Sequence, residues 1–229
     1  MIRVPRSRIA SLAASASAIM LTAVLGTGCG TQSDPQTPAG KGTTAPGKSK
    51  ASPPAQRVLN TPLLEATLPN QFSIPTDLDQ SRTRKAWDNF DATHCQSEGW
   101  PDEWCSEALT IGLAAFTNLD DQELAIRLIS FSDSATAARF FIGEGTVDEV
   151  GENPPGDQID VYEIDQPDEV AAWNGKGLYV RQGAVVAKIE YTWEPGTDIP
   201  SDRLRSLADM VVQRIKQAQA GKPPTASAR

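Results

Sequence analysis

Histidine is almost missing from the chain: His94 is the only one in 229 residues. A Ser-His-Asp or Cys-His mechanism needs an imidazole aimed at its nucleophile. His94 stands directly beside Cys95, and adjacent side chains rarely aim at each other. Zinc asks for about four His, Cys or acidic ligands, which one histidine and three cysteines do not readily supply. No G-x-S-x-G, H-E-x-x-H or glycine-rich phosphate loop occurs, and carboxylates are too numerous to single out a glycosidase pair. No catalytic residue, metal or cofactor is therefore expected.

Positive charge is equally sparse over most of the length. From Thr61 onward there are fourteen Lys and Arg against twenty-eight Asp and Glu, a formal net charge of −14. No basic stripe remains to neutralise phosphates, so nucleic acid is excluded as a partner. Basic residues without acids instead open the chain, at Arg3, Arg6 and Arg8, followed by an apolar Ile9 to Leu25 run broken only by small residues. This is the n-region and h-region of a signal peptide, shorter and richer in Ala and Ser than the roughly 20 strongly apolar residues of a permanent span.

The apolar run ends in Val24-Leu25-Gly26-Thr27-Gly28-Cys29-Gly30, which reads as a bacterial lipobox with Gly26 where such motifs usually carry Leu. Residues 1–28 are then the lipoprotein signal peptide, and Cys29 carries the lipid that tethers the chain to the outer face of the cell membrane. The alternative is an ordinary secreted protein cut nearby, with Cys29 an idle thiol. Three cysteines are an odd number for an exported protein, and an odd one needs its own explanation. Lipidation of Cys29 supplies it and leaves Cys95 and Cys105 to pair as a disulfide in an oxidising compartment.

Residues 29–60 are Gly, Pro, Ser, Thr, Gln, Ala and Lys with hardly an aliphatic side chain before Val58. Such a segment buries too little apolar surface to fold and is expected as a disordered tether with a reach of about a few tens of Å. Lys41, Lys48, Lys50 and Arg57 outnumber Asp34 there, a bias that suits either contact with anionic head groups or wall polymers, or simple solvation.

A single domain is expected over 61–220, with a disordered tail at 221–229. Thr61-Pro62 opens either a capped helical turn or a short strand. Ser81 to Phe90 suggests a short helix, with Trp87 and Phe90 three apart, and Gly99 and Pro101 make the cysteine segment a loop. Ala108 to Phe116 and Glu123 to Phe131 form a hairpin, and Ser132-Asp133-Ser134 caps a helix carrying Ala137, Ala138, Phe141 and Ile142, which stops near Gly143 and Gly145. The order then recurs: Leu178 to Arg181, a Gln182-Gly183 turn, a strand from Ala184 to Trp193, and a helix from Pro200 with Leu204, Leu207, Ala208, Val211, Ile215 and Ala218 as its apolar stripe. The pattern implies an α+β fold, an antiparallel sheet with helices packed on a face and a repeated ββα unit.

The acidic run from Asp148 to Glu169 holds Asp157, Asp160, Glu163, Asp165 and Asp168 and no basic residue. It lacks the spacing of an EF-hand, and a solvated loop is the expected reading, with calcium as its rival. Trp100 and Trp104 flank the disulfide loop, where packing on the bridge and stacking on a sugar or lipid are both open.

The Phe131-Ser132-Asp133-Ser134-Ala135 step into an Ala/Phe helix and the stretch from Trp173-Asn174-Gly175-Lys176-Gly177 to Val186 resemble the extracellular sensor domains of PknH-type kinases and related actinobacterial lipoproteins. The likeness covers Leu109 to Gln219. Those domains usually carry two disulfides, whereas this chain has cysteines for one. The resemblance implies a non-catalytic binding or sensing module with a central cleft, for which the candidate ligand contacts are Trp100, Trp104, Trp173 and Arg181. The reading is therefore a lipid-anchored extracytoplasmic domain that binds a small ligand or a protein. The alternative is a structural lipoprotein that docks a membrane or wall partner, and a hydrolase assembled from distant residues comes third.

Overall fold

A computed structural model describes residues 56–89, 92–118, 122–141, 153–164, 173–197 and 202–228. The chain divides into Met1–Ala51 and Ser52–Arg229, and the described residues all belong to the second unit. The signal peptide, Cys29, the tether up to residue 55, Gly143, Gly145, Asp148, Asp165 and Asp168 lie outside the described residues.

The fold is α+β. In chain order the elements are α1 (Thr61–Thr67), β1 (Gln80–Asp88), α2 (Ala92–Ser97), α3 (Asp102–Glu107), β2 (Thr110–Thr117) and β3 (Glu123–Ser130). They continue with α4 (Ser134–Phe140), β4 (Gln158–Glu163), β5 (Asn174–Gln182), β6 (Val185–Trp193) and α5 (Arg203–Gln219). Among the described residues one antiparallel sheet runs in the order β1-β2-β3-β6-β5-β4. Each half is a three-stranded meander followed by a helix, and the halves meet at the β3–β6 pair. The repeat expected from sequence as ββα is thus βββα.

Period-two alternation gives the sheet two different faces. On one, Leu124, Ile126 and Leu128 of β3 and Val185, Ala187, Ile189 and Tyr191 of β6 join the stripe of α5 and the side chains of Leu64 and Leu68 in the main core. The other carries a smaller core of Ile111, Ile129, Phe131, Ala137 and Val186 with the two cysteines and Trp100. Among the described residues no helix is long and apolar enough to cross a membrane.

Three local expectations within the domain are corrected. The helix expected from Ser81 to Phe90, of which Phe90 lies outside the described residues, is a strand instead: β1 pairs along β2 from Gln80↔Thr117 to Asp88↔Thr110, and tertiary pairing outweighs the weak local pattern of a mostly exposed strand. The cysteine segment is not a loop but the helices α2 and α3. Gly99, at φ +77, ends the first turn, and Pro101 sits at the N-cap of α3, so two apparent breakers are a helix stop and a helix start. The acidic stretch is not one loop either, because β4 runs through it with Ile159 and Val161 packed against the main core.

The tail expected to be disordered from 221 is held as far as Ala228. The Ala228 amide donates to Ser73 O at 2.7 Å and that of Lys222 to Gln217 O at 2.8 Å. At the other end Leu59 is fully buried and its carbonyl accepts from Thr110 Oγ1 at 3.0 Å, so the domain begins a few residues before 61. Thr61-Pro62 resolves as a helix start, with Asn60 Oδ1 accepting from the Leu63 amide at 3.3 Å.

Candidate functional site: the cleft on the polar face of the sheet

The face turned away from α5 carries charge and aromatic rings where a core would be expected. Arg127 of β3 lies directly opposite Lys188 of β6, and like charges in such a pair destabilise a sheet. Glu190 relieves this. Its Oε2 meets Arg127 Nη1 at 2.5 Å and its Oε1 meets Lys188 Nζ at 2.9 Å. Glu98, beyond α2, adds a second carboxylate 3.6 Å from Arg127 Nε.

Tyr162 of β4 donates its hydroxyl to Glu190 Oε1 at 3.1 Å. Burial first, and then the charge of Glu190, raise the pKa of this phenol far above its ordinary value, so it stays a donor at any physiological pH. Tyr179 of β5 is pushed up for the same two reasons, in the same order. The two rings stack with centroids 5.3 Å apart.

The pair fits because β5 carries glycines on this face. A Cβ at Gly177 would lie 2.3 Å from Tyr162 Cζ, and one at Gly175 would lie 2.9 Å from Ile164 Cβ. Gly177→Val should therefore displace the Tyr162 ring, break its bond to Glu190 and destabilise the domain by about 1–3 kcal/mol, the usual cost of overpacking. Near-UV circular dichroism and thermal denaturation of this variant check that; an unchanged aromatic spectrum and melting temperature would show that the ring does not fill the trough.

Beside this network the helix pair made by the cysteines closes down on the sheet. Cys95 of α2 and Cys105 of α3 form a disulfide with a Cα–Cα distance of 5.6 Å. Asn89 Nδ2 donates to the Cys105 and Ala108 carbonyls at 2.7 and 3.2 Å, which satisfies the end of α3. The bridge holds Trp100 and Trp104 so that they stack with centroids 5.5 Å apart, and Trp104 stands 5.9 Å from the Tyr179 ring.

Trp104, Tyr179, Phe141 and Asp160 line a cavity of about 130 Å³. Asp160 Oδ1 is buried and, among the described residues, accepts no hydrogen bond; the Trp100 indole nitrogen is likewise buried without an acceptor. A second recess on the same face, of about 180 Å³, is lined by Arg127, Glu190, Thr192 and Glu123 with Ala125 and Ile164. A larger hollow of about 310 Å³ along α5 has Asp202, Arg205, Asp209 and Gln213 in its wall but no aromatic residue. The chemistry of a binding site belongs to the smaller cleft, where apolar walls meet a convergent polar group.

Of the residues proposed from sequence, Trp104 lines this cleft and Trp100 is buried behind it. Trp173 is half-buried just before β5, six residues and about 20 Å of strand from Tyr179. Arg181 is engaged elsewhere: it donates to Gln158 Oε1, to Asp157 Oδ2 at 3.2 Å and to Gly183 O at 3.1 Å, which ties the ends of β4 and β5 to the β5–β6 turn. Asp157 also accepts from the Gly183 amide at 2.7 Å, and Glu163 pairs with Lys176 at 3.3 Å. Among the described residues no group of three His, Cys, Asp or Glu could hold a metal ion. Asp160, read from sequence as part of a solvated acidic loop, Phe141, read as a helix residue, and Tyr179 were not among the ligand contacts expected from sequence; the alternating Gly175 and Gly177 beside Tyr179 were the available sign of a crowded face.

No protein-family model matches the chain, and a search of curated proteins finds no match. Among solved structures it is similar to the crystal structure of the extracellular domain of PknH from Mycobacterium tuberculosis. That similarity has a TM-score of 0.45 and 12% sequence identity, covering 71% of this chain and 99% of that one.

Proposed function

We propose that this protein is a lipid-anchored, extracytoplasmic binding or sensing domain that acts without bond chemistry and takes a small ligand in the cleft of Trp104, Phe141, Asp160 and Tyr179. The observation that carries the reading is the buried, unpartnered Asp160 Oδ1 inside walls of aromatic rings. A buried acceptor without a donor is costly, and a ligand that supplies one removes that cost. Support for a non-catalytic role comes from His94, whose ring stands edge-on to Trp87 at 4.4 Å while its neighbour Cys95 is held in the disulfide. The lipobox at Cys29 supports the anchor.

Two measurements test the two halves of this reading. Intact mass and N-terminal peptide analysis of the mature protein should find Cys29 first, carrying a thioether-linked diacylglycerol. Recovery of an unmodified protein in the medium with Cys29 removed would end the lipid assignment. For the cleft, indole NMR signals should be followed while the small-molecule fraction of the cell envelope is added. The Trp104 signal is expected to shift; movement spread over the acidic outer surface, with Trp104 unmoved, would favour a protein-docking role instead.

A further inference from the structure

We infer that the ligand of this cleft is a small organic cation, an amine or alkylammonium compound. This rests on the reading of the cleft as the binding site and adds the ligand's chemical class. Trp104, Tyr179 and Phe141 bring three aromatic rings to one small space, and the negatively polarised faces of such rings attract ammonium groups. Asp160 supplies the formal charge at the same wall.

The local charge balance supports the same sign. On this face Arg127 and Lys188 are matched by Glu98 and Glu190, which leaves the Asp160 carboxylate as the unmatched charge among these groups. Lys188 Nζ stands 5.9 Å from the Tyr179 ring centre but is engaged by Glu190 at 2.9 Å. A half-buried carboxylate with one oxygen out of reach of water is stabilised by a cation brought to it, and an anionic ligand would add repulsion.

Size narrows the class. A cavity of about 130 Å³ is a small space, and it suits an ammonium head group with a short chain. The formal charge of −14 from Thr61 onward also raises the local concentration of cations near the surface.

The test is a titration of the full chain in detergent, read by tryptophan fluorescence at fixed ionic strength. The probes are choline, tetramethylammonium and 3,3-dimethylbutan-1-ol, which is close to choline in shape and uncharged. Both cations should give saturable changes, with the alcohol at least tenfold weaker. Asp160→Asn should weaken choline at least tenfold with the melting temperature held, and Trp104→Leu should abolish the response.

Equal affinity for choline and the alcohol, with both lost in Trp104→Leu, would overturn the cation assignment and leave the cleft as the site. Cation binding untouched by either substitution would move the site elsewhere, and the cleft reading would fall with it. No saturable response to any probe would overturn the inference. Should Asp160→Asn not fold, the choline and alcohol comparison on the unaltered protein decides alone.

Discussion

Replacing Arg214 with methionine is expected to cost about 3–5 kcal/mol, the scale of stranding buried polar partners, and to lower the melting temperature by roughly 10 °C. Arg214 is only 3% exposed, and among the described residues its partners include no carboxylate. Its guanidinium donates instead to the Thr67 carbonyl at 2.7 Å, to Ala66 and Leu68 at 3.1 and 3.0 Å, and to Ser73 Oγ and Ala226 O at 3.3 and 3.1 Å. Arg84 of β1 completes the set, donating to Glu65 O at 2.6 Å and Leu68 O at 3.2 Å.

Between them the two arginines satisfy the carbonyls that the end of α1 leaves without intrahelical partners, and their charge lies at the negative end of the helix. Burial first, and then the nearby Arg84 charge, lower the Arg214 pKa to about 10, so it remains a cation at physiological pH. Because the same side chain holds Ala226, the variant should also release the C-terminal residues, visible as fast hydrogen exchange at Ala228. Arg214→Lys keeps the charge but not the fork of donors and should fall between the two. A methionine variant that melts within 2 °C of the parent, an allowance of roughly 1 kcal/mol or less, would contradict this account of α1.

Reduction of the Cys95–Cys105 bridge is the second large effect. The closed loop is short, and by chain entropy it contributes about 2.5–3 kcal/mol out of the 5–15 kcal/mol typical of a whole domain. The domain should survive, because the main core of β3, β5, β6 and α5 lies outside the loop. The cleft should not, since the bridge holds α2 to α3 and so fixes Trp104 against Tyr179. Reduced protein is therefore expected to keep its far-ultraviolet spectrum, melt lower and lose the Trp104 response to ligand. Full alkylation of both cysteines in denatured, non-reduced protein would show that the bridge is absent.

What could be read from the sequence follows the physics of each element. The strand β6 and the helix α5 were legible because each has one buried apolar face, and period two or 3.6 then shows in the residues themselves. The strands β1 and β4 were not: both lie at the sheet edges, and their side chains are mostly exposed or half-buried. In β4 the acidic residues masked the alternation of Ile159 and Val161. That concealed Asp160, which reads as one more solvated carboxylate until the pairing Asp160↔Tyr179 places it in the cleft. Arg214 carried a fainter sign, a charge between Val211 and Ala218 within the apolar stripe of α5. Partners so distant in sequence, such as Thr67 and Arg214, come together only through the tertiary fold.

Binding in the cleft is the central claim, and native mass spectrometry of the full chain recovered from its own membranes tests it most directly. The unaltered protein should carry a small additional mass, absent from Trp104→Leu prepared in the same way. A bare protein in both preparations, or the same added mass in both, would contradict the claim.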